Sequence, residues 1–195
     1  MGLFNNIFKR KSKIKNETTE IPFYWEDNYC QIEIVSKKNI DTIKSTIKLI
    51  DKFHENKESE NGFNEIFIRE KLPFPTLKEY IQVYDFEKLL SEKGFQKANQ
   101  ISYDGYKVID CSPNTSNAFS LSSFNIFYDC NKEFVNNVWI STSLIVSIDQ
   151  FKKISETLFE LGEGYELVLI DWNSSDLVDL TKKNQLKDYL MSYWK

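Results

Sequence analysis

A chain of 195 residues with 41% hydrophobic and 15% aromatic residues has enough apolar sequence for one core, which excludes general disorder. Residues 1–15 carry five of the 25 cations and none of the 29 acids, so the remainder holds twenty cations against 29 acids, a net of −9. An acidic body repels nucleic acid and anionic lipid and suits a basic protein partner.

The first residues are apolar (Leu3, Phe4, Ile7, Phe8) and then basic (Lys9, Arg10, Lys11, Lys13, Lys15). They fit a helix lying on a membrane surface, or a frayed terminus; a lone helix this short is marginal in water. The cationic run follows the apolar patch, the reverse of a secretory signal. Gly2 does not make a myristoylation site, because position 6 is Asn. The expectation is a flexible basic tail over residues 1–20 and one domain over 21–195.

Folding is expected to begin at Ile21-Pro22-Phe23-Tyr24-Trp25. A strand spans Tyr29 to Val35, with Cys30, Ile32 and Ile34 alternating with Gln31 and Glu33. A helix follows from about Asn39 to His54, since Ile40, Ile43, Ile47 and Ile50 recur at helical spacing. After a polar loop from Glu55 to Gly62, a strand is expected over Asn64–Arg69, stopped by Pro73 and Pro75. Residues 76–84 fit a strand or an irregular approach. Asp85 is placed to cap a short helix over Phe86, Leu89 and Leu90, with Gly94 just past its end.

Asp104-Gly105 is the strongest turn signal in the chain. It predicts a hairpin with arms Phe95–Tyr103 and Tyr106–Cys111. Another strand is expected over Phe119–Tyr128, with Phe124, Ile126 and Tyr128 on one face. A strand over Val138–Ile140, continuing to Leu144–Val146, leads into a helix from Ile148 to Leu161 that opens with the capping-box pair Ser147 and Gln150. Gly162-Glu163-Gly164 is expected to turn the chain into the strand Tyr165–Asp171. That strand is almost uninterruptedly apolar, so it is expected to be central and covered on both faces. Asn173-Ser174-Ser175 forms a turn, Leu177–Leu180 a short strand, and Thr181 caps a last helix with Leu186, Tyr189, Leu190, Tyr193 and Trp194 on one face. Many strand connections are too short for helices. The fold class is therefore α+β, a single domain with a mixed, mostly antiparallel sheet and about four packed helices.

No chemical signature stands out. The three cysteines, Cys30, Cys111 and Cys130, are odd in number and widely spaced, which favours a reducing compartment and a cytoplasmic location over a disulfide framework. His54 is the only histidine and reads as a solvated helix end. There is no metal-ligand spacing and no phosphate-cradling glycine loop, so neither a metal nor another cofactor is expected. No window approaches the ~18 apolar residues of a membrane span. Asp171-Trp172-Asn173, at the end of a buried strand, is placed where an enzyme site could lie, but turn chemistry is the favoured reading, with Trp172 packed.

Val138-Trp139-Ile140-Ser141, the helix closing on Leu161-Gly162-Glu163, and Leu169-Ile170-Asp171-Trp172-Asn173-Ser174 resemble small cytoplasmic proteins of the Bacteroidetes type. Many of these resemble immunity proteins encoded beside polymorphic or type VI secretion toxins. The likeness extends to Trp25-Glu26-Asp27 and the first strand and helix, and it carries over no functional residue. The resemblance implies a non-enzymatic cytoplasmic protein that binds and neutralises a cognate protein toxin through an acidic and aromatic surface. Trp25, Glu26, Asp27, Asp171 and Trp172 are the partner-binding candidates. The alternatives are a small enzyme with a site near Asp171, or a membrane-surface adaptor using the N-terminal tail. The oligomeric state is left open.

Overall fold

The computed structural model describes residues 21–55, 67–74 and 81–194. The expectations for the N-terminal tail, the polar loop after Glu55, the start of the Asn64–Arg69 strand and most of residues 76–84 lie outside them. The described chain is α+β, with four helices and ten strands in two mostly antiparallel sheets.

The larger sheet contains β2 (Ile32–Ser36), β3 (Gln96–Lys97), β6 (Ser116–Leu121), β7 (Phe124–Cys130), β8 (Val135–Thr142), β9 (Leu167–Asp171) and β10 (Asp176–Asp179). Its order is β10-β9-β2-β8-β7-β6-β3. A smaller sheet pairs β1 (Phe23–Tyr24) parallel to β4 (Gln100–Tyr103), which is antiparallel to β5 (Lys107–Asp110).

Every residue of β9 is buried, as expected of an unbroken apolar run, because alternate residues meet cores on opposite faces. Leu167 and Leu169 join the main core, with Ile154, Leu158 and Leu161 of α3 (Ile148–Tyr165) and Leu186 and Leu190 of α4 (Lys183–Met191). α2 (Val83–Glu92) adds Phe86 and Leu90 to the same core. Val168 and Ile170 face the other way, against Ile43 of α1 (Ile40–Glu55). The strand is not central, however. It lies second from an edge, between β10 and β2.

The smaller sheet covers the rest of that second face. There Tyr24 and Ile101 close over Ala118, Phe127 and Trp139, and the Phe127 and Trp139 rings stack 5.5 Å apart. The sheet is thus a middle layer, covered by α2, α3 and α4 on one side and by α1 and the small sheet on the other.

Several local expectations fail for identifiable reasons. Phe119–Tyr128 is not one strand but the hairpin β6–β7, which turns at Ser122 with φ 55°. A serine pair carries no glycine to announce that turn; the Ser123 hydroxyl secures it by donating to the Leu144 carbonyl. Gly162-Glu163-Gly164 does not end α3. Gly162 is a packing residue, because an added Cβ would lie 2.5 Å from Leu180 Cβ, and the helix stops instead at Glu166 in the left-handed region. Asp85 lies in the first turn of α2, whose N-cap is Gln82, and Thr181 precedes α4, whose N-cap is Lys182. Phe67–Arg69 is not strand, Tyr29–Gln31 is a turn, and Leu144–Val146 lies beyond the end of β8. The first arm of the predicted hairpin is divided: β3 joins the large sheet and only β4 pairs with β5. The Ser147 cap holds as expected, accepting from Gln150 N at 3.1 Å.

Candidate functional site

β2 carries Glu33 onto the second face of the sheet, where its cross-strand neighbours are Trp139 on β8 and Ile170 on β9. Trp139 belongs to the core under the small sheet and Ile170 to the core under α1. Glu33 therefore sits where the two covers part. The gap is a groove of about 930 Å³, in the size range of ligand and peptide sites.

One bank of the groove is the segment 67–74. Asn39, buried at the end of the 3-10 turn that precedes α1, holds its end by a reciprocal amide pair: Asn39 Nδ2 donates to Phe74 O at 3.0 Å, and Phe74 N donates to Asn39 Oδ1 at 3.1 Å. Leu72 packs against the core beneath α1. Arg69 then reaches inward. Its guanidinium lies 4.5 Å from the Trp172 ring centroid, and Nη2 donates to Cys30 O at 3.4 Å. Burial lowers the Arg69 pKa, and Glu33 and Cys30 oppose that shift. Burial raises the pKa of Glu33, and Arg69 and a hydrogen bond with the Trp172 side chain oppose it.

The other bank is a hydrogen-bonded cluster. Tyr29 donates its hydroxyl to Asp129 Oδ2 at 2.6 Å, and Asn137 Nδ2 donates to both Asp129 Oδ2 and Tyr29 Oη at 3.2 Å. Ser116 Oγ donates to Asp129 Oδ1 at 2.7 Å, and the Tyr29 ring meets Trp139 edge-on at 4.8 Å. Burial and Asp129 both raise the Tyr29 pKa, so it remains a phenol at neutral pH. Cys30 also lines the groove, but burial, then Glu33 and Asp129, push its pKa up, which leaves a protonated thiol rather than a nucleophile. Among the described residues that line the groove, no nucleophile is set beside a base.

A shoulder of different character adjoins Tyr29. Residues Glu26–Asn28 form one 3-10 turn directly before it. Trp25, at the head of that turn, is 51% exposed yet tightly held. Its ring meets Phe23 edge-on at 4.8 Å and lies against Gly105, where a Cβ would come within 3.3 Å. Gly105 has φ +72° and Asp104 φ +51°, the positive-φ turn that their sequence predicts. Asp104 Oδ1 accepts from Glu26 N at 2.7 Å. The shoulder thus presents Trp25 with Glu26, Asp27 and Asp104, beside Tyr106, which is 79% exposed.

The five residues singled out from sequence therefore divide three ways. Trp25, Glu26 and Asp27 share the exposed shoulder. Trp172 lies in the groove under Arg69, with its indole Nε1 buried and its side chain partnered with Glu33. Asp171 is 4% exposed; its oxygens accept from Tyr189 and Tyr193 hydroxyls and from Asn173 N, so it presents no surface to a partner. Asn173 N is the turn bond its spacing suggested. Glu33, Arg69, Tyr29 and Asn137 were not singled out. Glu33 reads as the outward residue of an alternating strand, and nothing local marks Arg69, because both gain their setting from a partner distant in sequence.

Among the described residues, no group of three or more His, Cys, Asp or Glu is placed to hold a metal ion. No described helix is long and apolar enough to cross a membrane. His54 is exposed in the last turn of α1. No family model, curated protein or solved structure matches the chain.

Proposed function

We propose that this is a binding protein that neutralises a protein toxin in the manner of the immunity proteins it resembles, with the Trp25 shoulder as its contact surface. The observation that supports this is Trp25 itself: a large aromatic ring, half in solvent, immobilised by Phe23 and Gly105 and flanked by Glu26, Asp27 and Asp104. A rigid ring loses little entropy on binding, and aromatic anchors dominate interface energetics. The surrounding carboxylates suit a basic partner and steer its approach. Such a protein acts by covering the toxin's own site, which requires no catalytic group of its own.

Co-purification of the tagged protein from its native cell, followed by mass spectrometry and a growth assay, tests the proposal. The expected result is a stoichiometric partner whose toxicity is relieved by this protein. Trp25→Ala weakens that complex by about 2 kcal/mol, roughly thirtyfold in Kd. A partner bound equally well by Trp25→Ala and by the Glu26→Gln/Asp27→Asn variant would remove the shoulder from the interface. Absence of any partner would end the neutralisation reading.

A further inference from the structure

The shoulder holds more negative charge than its own fold uses. Among the described residues, Glu26, Asp27 and Asp104 form no ion pair. Glu26 and Asp104 are nevertheless drawn together, because Asp104 Oδ1 accepts from Glu26 N at 2.7 Å. Both act on the Tyr103 hydroxyl, whose pKa is pushed up to about 12 by burial and then by the charges of Asp104 and Glu26. Lys107, on the same hairpin, sits with Nζ 5.7 Å from the Tyr103 ring centroid and pairs with none of the three.

Trp25 stands beside these charges, half exposed yet wedged between Phe23 and Gly105. A group that completes this surface must be cationic and must also lie against an indole, whose ring attracts cations. A metal ion does not fit, since no group of three or more His, Cys, Asp or Glu among the described residues is placed to hold one. An ammonium is a compact and strongly hydrated charge. A guanidinium is planar and weakly hydrated, stacks on aromatic rings, and carries five N–H donors that reach more than one carboxylate. It alone uses the ring and the carboxylates together.

We propose that the shoulder is a seat for one arginine side chain of the bound partner. The guanidinium stacks on the exposed part of Trp25 and donates to Asp104 and Glu26, with Asp27 adding attraction at the rim. This rests on the reading of the shoulder as a contact surface and names the residue that it recognises.

The seat is tested without the partner. The chain has four tryptophans, so the full-length ¹⁵N-labelled protein gives four indole N–H signals, and Trp25→Phe assigns one of them. N-acetyl-arginine amide, N-acetyl-lysine amide and N-acetyl-citrulline amide, the last a planar but uncharged counterpart of arginine, are titrated at constant ionic strength. The arginine compound is expected to move the Trp25 signal saturably, with an apparent Kd about tenfold tighter than the lysine compound. Citrulline is expected to give no saturable shift. The Glu26→Gln/Asp104→Asn variant keeps a side-chain oxygen at both positions but removes both charges, and should bring arginine down to the level of citrulline. Equal affinities for arginine and lysine, a citrulline shift that matches arginine, an unchanged arginine Kd in the double variant, or a stationary Trp25 signal would overturn the proposal. The wild-type ranking decides the matter even if the variant fails to fold. An arginine preference with no co-purified partner would leave the seat standing and end the neutralisation reading. A partner lost on Trp25→Ala without an arginine preference would do the reverse.

Discussion

Tyr189 donates its hydroxyl hydrogen to Asp171 Oδ2 at 3.0 Å, which ties the last helix to the end of a fully buried strand. Tyr193 adds a second hydroxyl at 3.2 Å and Asn173 N a third donor at 3.0 Å to the other oxygen. Tyr189→Phe removes one of three donors from a buried carboxylate and is expected to cost about 1.5 kcal/mol, or 3–6 °C in Tm. Asp171→Ala strands all three donors and should cost more. Thermal unfolding followed by circular dichroism checks both; an unchanged Tm in both variants would show that the cluster holds nothing in place.

The glycines of α3 make a paired test. Gly162→Ala places a methyl group 2.5 Å from Leu180 Cβ and 2.7 Å from its backbone carbon, so the helix and the chain after β10 must separate. The expected cost is about 3 kcal/mol or failure to fold. Gly164→Ala, two positions later, meets nothing within 4 Å and should stabilise by about 0.5–1 kcal/mol through helix propensity. Urea titrations in which both variants shift the midpoint in the same direction would contradict the packing role of Gly162.

Lys37 Nζ lies 2.8 Å from Asp179 Oδ2. Burial alone would raise the Asp179 pKa, but the Lys37 bond and the Thr181 hydroxyl and amide outweigh it and hold the pKa below the usual carboxylate value. A depressed folded pKa stabilises the protein above the unfolded pKa of about 3.9, and that contribution fades as pH falls through the folded value. Asp179→Asn should therefore lose about 1 kcal/mol at pH 7, a figure kept small because Lys37 is partly solvated. The gap between variant and wild type should close as pH is lowered below about 4. A gap that persists unchanged in acid would show that the charge is irrelevant.

Burial raises the pKa of all three free thiols, Cys30, Cys111 and Cys130. Alkylation by iodoacetamide at pH 7.5 should be at least about tenfold slower in the native protein than in 8 M urea. One thiol that reacts at the denatured rate would mark an open, activated site.

What the sequence revealed follows the range of the physics involved. The period of Ile40, Ile43 and Ile47, the cap at Ser147 and the Asp104-Gly105 turn are decided within a few residues, and each forms as expected. So does the burial of β9, because an unbroken apolar run has no polar face to expose. Gly162 deceived because a glycine has two uses, to end a helix or to let one approach, and only Leu180 shows which applies. The β6–β7 turn at Ser122 carried no local signal. The groove was invisible for the same reason as Gly162: Glu33, Arg69 and Trp172 come from three separate stretches, and their meaning arises only where β2, the 67–74 bank and the end of β9 meet.

β2 pairs with β8 on one edge and with β9 on the other, so Ile34, near the start of the chain, is bonded into strands near its end. During synthesis, residues 32–36 leave the ribosome long before either partner exists. Contacts so distant in sequence give a high contact order and slow closure of the sheet. Until Leu167–Asp171 emerges, a nascent or truncated chain carries an apolar strand with a bare edge, ready to pair with another chain. The sheet that creates the groove therefore makes the chain dependent on its own completion, and fragments ending before β9 are expected to aggregate rather than fold.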